Sequence, residues 1–328
     1  MNNKNYKIEL KESDKKLLAY LYHSYREHYT KIAKETGLSR IQVEYKINKY
    51  LKEGLILKFM TVIDYSKLGY NYLISGLIKF EKPIFLEKFF KKLSKNKNCI
   101  SYGKVMGKYD LYMNLIFQNE EEFNEFLNSF VSDNDSGIFD YFFSKHFFTE
   151  FYDLKFLKKK FSDKRIFSLT HSNEKIKLDK NDLKILYLME KDTRVRLIDI
   201  AKEVNISSEL ALYKLKRLYS EKIILGTRVL FDMNKLGYSF AGLTITLKNF
   251  SEETKNKLIK FARNHPYVNC LLLYLSKPNC YLQFFYKNSE ELTNSIQDLI
   301  DILKDEPFEY DVLLFSKENE EINTLPFY

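Results

Sequence analysis

No stretch of this 328-residue chain approaches the roughly 20 consecutive apolar residues that a membrane-crossing helix needs, so no membrane partner is expected. Cysteine is scarce. Cys99, Cys270 and Cys280 form no C-x-x-C pair and are too few for a disulfide framework. The five histidines, His23, His28, His146, His171 and His265, are scattered, and none lies beside a cysteine at ligand spacing. There is no glycine-rich phosphate loop, no G-x-S-x-G and no H-E-x-x-H. No catalytic residue, metal site or cofactor is therefore read from the chain. The 10 glycines and 5 prolines never gather into a tract, and serine does not either, so long disorder is not expected. Met1 to Leu10 is polar and mixed in charge, unlike a secretory signal. With so few cysteines, a reducing, cytoplasmic location is expected.

At 45% hydrophobic residues the chain can bury more than one core, and its length suggests two to four domains at about 100–200 residues each. The net charge of +9 is uneven: residues 1–164 hold 29 Lys+Arg against 21 Asp+Glu, and residues 165–328 hold 24 against 23. A basic surface favours polyanions such as nucleic acid, and the first half should be the better binder.

The chain carries the same segment of roughly 57 residues twice. Asp14 to Tyr70 lies on Asp182 to Tyr238 at a constant offset of 168, with 19 identities and no gap. Ile32-Ala33-Lys34-Glu35 recurs as Ile200-Ala201-Lys202-Glu203, Tyr45-Lys46 as Tyr213-Lys214, and Lys67-Leu68-Gly69-Tyr70 as Lys235-Leu236-Gly237-Tyr238. Solenoid units are shorter, about 20–50 residues. This is a duplicated module.

Within each copy the periodicity gives three helices. Leu17, Leu18 and Leu21 share a face of the first, with Ser13 or Asp14 as its N-cap; Ile185, Leu186 and Met189 are their counterparts. A second helix over about 30–36 buries Ile32 and Ala33 and ends at Gly37, where Asn205 stands in the other copy; both tolerate positive φ. Ser39 and Ser207 suit the N-cap of a third helix, whose stripe is Val43, Ile47 and Tyr50 and whose stop is Gly54. Lys222 replaces Gly54 in the second copy, so that helix must end differently or accept strain. Two helices joined by a tight turn describe a helix-turn-helix. Arg40, Gln42, Tyr45, Lys46 and Lys49 are read as pointing away from the buried stripe, with Lys52 beyond them. Such a face can enter a major groove about 12 Å wide. The candidates for the same role in the second copy are Ser207, Ser208, Tyr213, Lys214, Lys216 and Arg217. Glu209 sits near the start of that helix, where a carboxylate faces phosphate unfavourably, so the second reading head is expected to be weaker or altered. The β-prone stretches Leu55 to Asp64 and Ile223 to Asp232 fit a two-stranded wing and exit strand in each copy.

After each winged helix the order is βαββαβ, the ferredoxin-like unit. Its two helices cover one sheet face. The alternation of Leu111, Met113, Leu115 and Phe117 points to a second apolar face, which another such domain, supplied by the same chain, would cover. The aromatic run Tyr141 to Tyr152 is read as a buried strand and dimer edge, and the basic stretch Lys155 to Arg165 as a solvated, partly helical linker. The fold class is thus α+β: a winged helix-turn-helix over 1–68, a ferredoxin-like domain over 69–152, a linker over 153–177, a second winged helix-turn-helix over 178–236 and a second ferredoxin-like domain over 237–328.

Ile32-Ala33-Lys34-Glu35, Gly37-Leu38-Ser39, Glu53-Gly54-Leu55-Ile56, Asp64 and Leu68-Gly69 resemble the Lrp/AsnC (leucine-responsive, feast/famine) family of regulators, as does Gly107-Lys108-Tyr109-Asp110-Leu111. The resemblance spans both halves apart from the linker. It implies a DNA-binding transcription regulator whose partner is double-stranded DNA, pairing through the sheet domains with further assembly into homo-oligomers, and control by amino acids or related small molecules. The tandem layout, a departure from the family's single-copy chain, would make the pair an intramolecular pseudo-dimer. It also implies an effector-linked turn at Gly107, Tyr109 and Asp110; those residues equally suit an ordinary hairpin turn. Ser276-Lys277-Pro278-Asn279 lacks the glycine and aspartate at the corresponding place. Two alternatives stay open: an enzyme on the same scaffold, resembling the sirohaem decarboxylases and drawing on Arg263-Asn264-His265, and a metabolite-sensing adaptor that binds no DNA.

Overall fold

The computed structural model describes residues 8–131, 137–157, 166–169, 171, 175–316, 321–323, 325–326 and 328. In chain order the first half forms α1 (Glu12–Ser24), α2 (Tyr29–Thr36), α3 (Arg40–Lys52), β1 (Ile56–Ile63), β2 (Tyr72–Phe80), α4 (Ile84–Leu93), β3 (Cys99–Met106), β4 (Leu111–Phe117), α5 (Glu120–Val131), β5 (Ile138–Tyr152) and the short β6 (Ile166–Leu169). The second half repeats the plan: α6 (Lys180–Lys191), α7 (Leu197–Val204), α8 (Ser208–Ser220), β7 (Ile224–Phe231), β8 (Ser239–Leu247), α9 (Glu252–Asn264), β9 (Val268–Tyr274), β10 (Cys280–Tyr286), α10 (Ser289–Leu303), β11 (Phe308–Phe315) and β12 (Glu321–Ile322).

The fold sorts these parts by kind rather than by sequence. One compact unit gathers Met1–Asp64, Tyr152–Phe167 and Lys177–Ser239, the other Tyr65–Phe151, Ser168–Ile176 and Phe240–Tyr328. Both helix-turn-helix copies share the first unit and both βαββαβ copies the second. Of the stretch expected as a solvated, partly helical linker, Lys155 to Arg165, the described part is a helical turn over Lys155–Leu157 with Leu157 buried. Leu154, Phe167 and Leu169 on either side are buried too, because apolar side chains leave water wherever a core is in reach. Residues 158–165 of the expected basic linker lie outside the described residues.

In the first unit, α1 begins before the expected Ser13 or Asp14. Lys11 is its N-cap, and Asp14, at the third helical position, accepts from the Lys11 backbone N–H at 2.9 Å. Leu17, Leu18, Leu21, Ile32, Val43 and Ile47 form the buried centre. Gly37 (φ 71°) and Asn205 (φ 61°) end α2 and α7 in the left-handed region, as their types suggest. Ser39 caps α3 and Ser207 caps α8, each hydroxyl accepting a backbone N–H three residues on. Each such cap contributes about 1 kcal/mol. Gly54 (φ 63°) stops α3, and Lys222 adopts φ 58° at the same point of α8. The second helix therefore keeps the same ending and accepts the strain.

The expected wing takes a different form. Each copy supplies one strand, and β1 pairs antiparallel with β7. An edge strand must satisfy its backbone groups somewhere, and its duplicate offers the matching edge. The ladder is centred on Met60 opposite Arg228, two residues one duplication offset apart, and Phe59↔Val229 mirrors Thr61↔Thr227. Ile56↔Phe231 mirrors Ile63↔Ile224 in the same way. A local two-fold axis therefore runs through the pair and relates the two heads. Other contacts repeat across it. Arg26 donates to the carbonyls of Thr193 and Val195, and its duplicate Arg194 donates to that of Glu27 and lies 4.0 Å from the Tyr29 ring centroid.

In the second unit the strand order is β11-β8-β10-β9-β5-β2-β4-β3, and β11 also pairs with β3, so the sheet closes on itself. Its two seams join the halves: β5 to β9, and β11 to β3. The aromatic-rich β5 is thus a shared inner strand with β2 on its other side. One face of the first copy's strands packs under its helices, where Ile74, Ile78, Phe89, Leu111, Met113 and Phe117 form a core. This corrects the reading of the alternating β4 residues, which lie on the helix-covered face. The opposite face carries Leu77, Val105, Tyr112 and Phe142 with Leu313 from β11. Phe142 also meets the second copy's Cys270, Leu272 and Tyr274.

Candidate nucleic-acid interface

The third helix of each copy is held from behind and open in front. On α3, Val43, Ile47 and Tyr50 are buried, and Arg40, Ile41, Gln42, Glu44, Tyr45, Asn48, Lys49 and Lys52 are exposed. On α8, Ala211, Leu215 and Leu218 are buried, and Ser208, Glu209, Leu210, Leu212, Tyr213 and Lys216 are exposed. Both faces also carry apolar groups, the expected Tyr45 and Tyr213 and, not singled out by the charge pattern, Ile41, Leu210 and Leu212. Ile41 is 78% exposed, Tyr45 67% and Tyr213 64%.

Two lysines expected on this face lie elsewhere. The Lys46 ammonium turns back onto Asp14 at the start of α1, which also accepts from the Tyr50 hydroxyl at 2.6 Å. Burial pushes the Asp14 carboxyl up, but the hydrogen bonds from Lys46, Tyr50 and the Lys11 backbone outweigh it and hold the group below the usual range. Burial likewise pushes the Tyr50 phenol up, and the Asp14 carboxylate adds to this. Lys214 does in the second copy what Lys46 does in the first. It is 7% exposed and bonds Asp179 at 2.6 Å and Asp182 at 3.1 Å. The Lys214 hydrogen bond draws the Asp179 carboxyl down to about 2. The physical reason is shared. A lysine stem at this helical position reaches over the edge of the stripe, and an acid at the start of the first helix of the same head offers a stronger contact than water. Both lysines tie the third helix of their head to the first.

Other expected residues are partly engaged. Gln42 returns its side-chain oxygen to the Ser39 backbone N–H at 2.8 Å, completing a capping box. Arg217 donates to Glu221 at 2.9 Å and to the Lys177 carbonyl at 3.0 Å, and lies 3.6 Å from Asp182. Arg40, Tyr45, Lys49, Lys52, Tyr213 and Lys216 remain on the open faces. Lys49 has only a loose pair with Glu53 at 3.8 Å. The arrangement can present cations and flat apolar groups to a duplex from α3, and a less basic surface from α8.

The turn at Gly107, Tyr109 and Asp110 is built tightly. A Cβ on Gly107 (φ 138°) would stand 2.6 Å from the Val312 carbonyl oxygen, so no side chain fits there. Tyr109 is buried beside Leu77, Val105 and Leu313, and burial raises its phenol pKa. Asp110 accepts from Lys79 Nζ at 2.8 Å and from the Phe80 backbone N–H at 2.9 Å. The turn thus links β3, β4 and the end of β2. Elsewhere in this unit Glu150, 1% exposed, accepts from Arg263 at 2.9 Å, and His265 lies 3.3 Å from Asp298.

Comparison with known proteins agrees with the second of these heads. A family model described as winged helix-turn-helix DNA-binding matches residues 178–224, α6 to the start of β7. The HTH-type transcriptional regulator FL11 of Pyrococcus horikoshii is 30% identical over 122 residues, 37% of this chain and 80% of that protein. FL11 of Pyrococcus furiosus is 31% identical over 119 residues, 36% and 78% respectively. The chain belongs to the Lrp/AsnC family of HTH-type transcriptional regulators, duplicated in tandem. Among solved structures, the siroheme decarboxylase NirDL superposes with a TM-score of 0.61 at 15% identity, covering 97% of this chain and 96% of that one. This likeness shows that the doubled architecture is a known fold.

Proposed function

We propose that this Lrp/AsnC chain is a DNA-binding transcription regulator that inserts α3 into the major groove. Arg40, Lys49 and Lys52 then meet phosphates or base edges. The supporting observation is the division of labour on α3: its one inward lysine is held by Asp14, and the other cations stay on the exposed face. Ser39, Tyr45 and Gln42 line the N-terminal part of the same face, and α8 offers Ser207, Ser208, Tyr213 and Lys216. Control by an amino acid or related small molecule through the ferredoxin-like unit belongs to the proposal. The turn at Gly107, Tyr109 and Asp110 is its candidate site, where an effector would act by displacing Lys79 from the Asp110 carboxylate. Cytoplasmic residence and homo-oligomer formation are part of the same reading.

We do not propose the decarboxylase chemistry of NirDL for this chain. Arg263 is drawn to Glu150 and His265 to Asp298, so neither is free to converge on an acidic tetrapyrrole. The test is retardation of sheared genomic DNA by the purified chain at low salt, with and without amino acids. A shifted band that weakens steeply as salt rises is expected. No shift at any salt favours the adaptor reading, and loss of added sirohaem's carboxylates favours the enzyme.

A further inference from the structure

The two heads sit on a two-fold frame but carry different lettering. The frame residues obey the symmetry closely: the β1–β7 ladder is its own mirror about Met60 and Arg228, and Arg26 and Arg194 reach across it in turn. The exposed faces do not. At the three positions after the cap, Arg40, Ile41 and Gln42 stand where Ser208, Glu209 and Leu210 stand in α8. Further along, Glu44 answers to Leu212, Asn48 to Lys216 and Lys52 to Ser220, and Tyr45 to an identical Tyr213.

Given that the heads read DNA, we propose that this chain specifies a non-self-complementary site made of two unlike half-sites. The chemistry of base edges requires it. An operator is an inverted repeat when two identical heads read it, because its symmetry mirrors that of the protein. Here the N-terminal turn of α3 offers a guanidinium suited to guanine, an aliphatic group suited to a thymine methyl, and the Gln42 NH2 as a donor to base acceptors, its oxygen being held in the capping box. The same turn of α8 offers a hydroxyl, a carboxylate that can accept only from a donor such as cytosine N4–H2, and an aliphatic group. Ile41, 78% exposed, and Glu209 occupy equivalent places, so the same base pair cannot satisfy both. One covalent chain also fixes which head sits beside which, so unlike half-sites are read by a single molecule.

The test is selection from a random-sequence 30-bp duplex pool by the full chain at moderate salt. The expected consensus has two blocks that are not each other's inverted repeat. The variant Arg40→Ser, Ile41→Glu, Gln42→Leu gives the N-terminal turn of α3, the part that meets base edges, the lettering of the same turn of α8. It should convert the consensus to an inverted repeat of the second block and weaken binding to the original sequence about tenfold or more. The reciprocal variant Ser208→Arg, Glu209→Ile, Leu210→Gln should yield an inverted repeat of the first block, which keeps the test open if one variant folds poorly. A self-complementary consensus from the unaltered chain, or a consensus that neither exchange alters, overturns the proposal. Failure to retain any duplex at low salt overturns the DNA-binding reading itself.

Discussion

Two lysines, one on each third helix, hold this interface from behind. Lys46 and Lys214 read as phosphate contacts in the sequence because position and charge are visible there, whereas the partner that captures them, an acid some 32 residues earlier, is a tertiary fact. The duplication held the missing signal: Asp14 and Asp182 recur with the lysines at the same offset. Lys214→Ala should lower stability by about 2–3 kcal/mol, because Asp182, 1% exposed, would lose its closest cation in a dry site. Lys46→Ala should cost less, since Tyr50 still donates to Asp14. Urea unfolding of the two variants measures this, and an unaltered midpoint for Lys214→Ala would contradict the positioning role. His146 offers a second residue-scale outcome. It is buried, its Nε2 lies 2.7 Å from Ser75 Oγ, and its Nδ1 lies 3.4 Å from Thr149 Oγ1. Burial, with His171 adding a smaller effect, draws its pKa from 6.5 down to about 3. The unfolded chain therefore takes up a proton that the folded one refuses. This contribution is intact above pH 6.5 and declines by up to about 1.4 kcal/mol per pH unit between 6.5 and about 3. In His146→Gln that one-proton slope should vanish from the pH dependence of the unfolding free energy. A slope identical to that of the parent would exclude a neutral buried histidine.

At the scale of elements, most of the helical plan was legible in the sequence. Gly37, Ser39, Gly54 and the apolar stripes place α2 and α3 almost to the residue, because caps and periodicity are local physics. Strand pairing was not legible. Leu55 to Asp64 reads as a self-contained wing, and nothing local says that its partner lies 168 residues away. The face presented by Leu111, Met113, Leu115 and Phe117 was misassigned for a similar reason, since alternation shows that a face is apolar and not which layer covers it. The ends of α3 and α8 supply the element-scale prediction. Lys222 holds φ 58° where Gly54 holds φ 63°. A Cβ in this region costs about 1–2 kcal/mol, so Lys222→Gly should raise stability by about 1 kcal/mol. Thermal unfolding would show this as a higher midpoint; a lower one would mean that the lysine makes a compensating contact.

For the whole molecule, duplication has turned what two copies of a shorter chain could supply into one covalent framework, with symmetric supports and divergent working faces. The second head carries Ser208 and Ser220 where the first has the exposed Arg40 and Lys52, and Lys216 where the first has Asn48. The most direct measurement of DNA reading by α3 is the salt dependence of duplex binding, followed by fluorescence anisotropy for the parent and for a Lys49→Ala, Lys52→Ala variant. Each phosphate contact adds a slope of about −0.9 in log K against log salt, so the double variant should be shallower by nearly two. A matched Lys216→Ala variant should change the slope by one or less. Identical slopes for the parent and the double variant would contradict the placement of α3 in the groove.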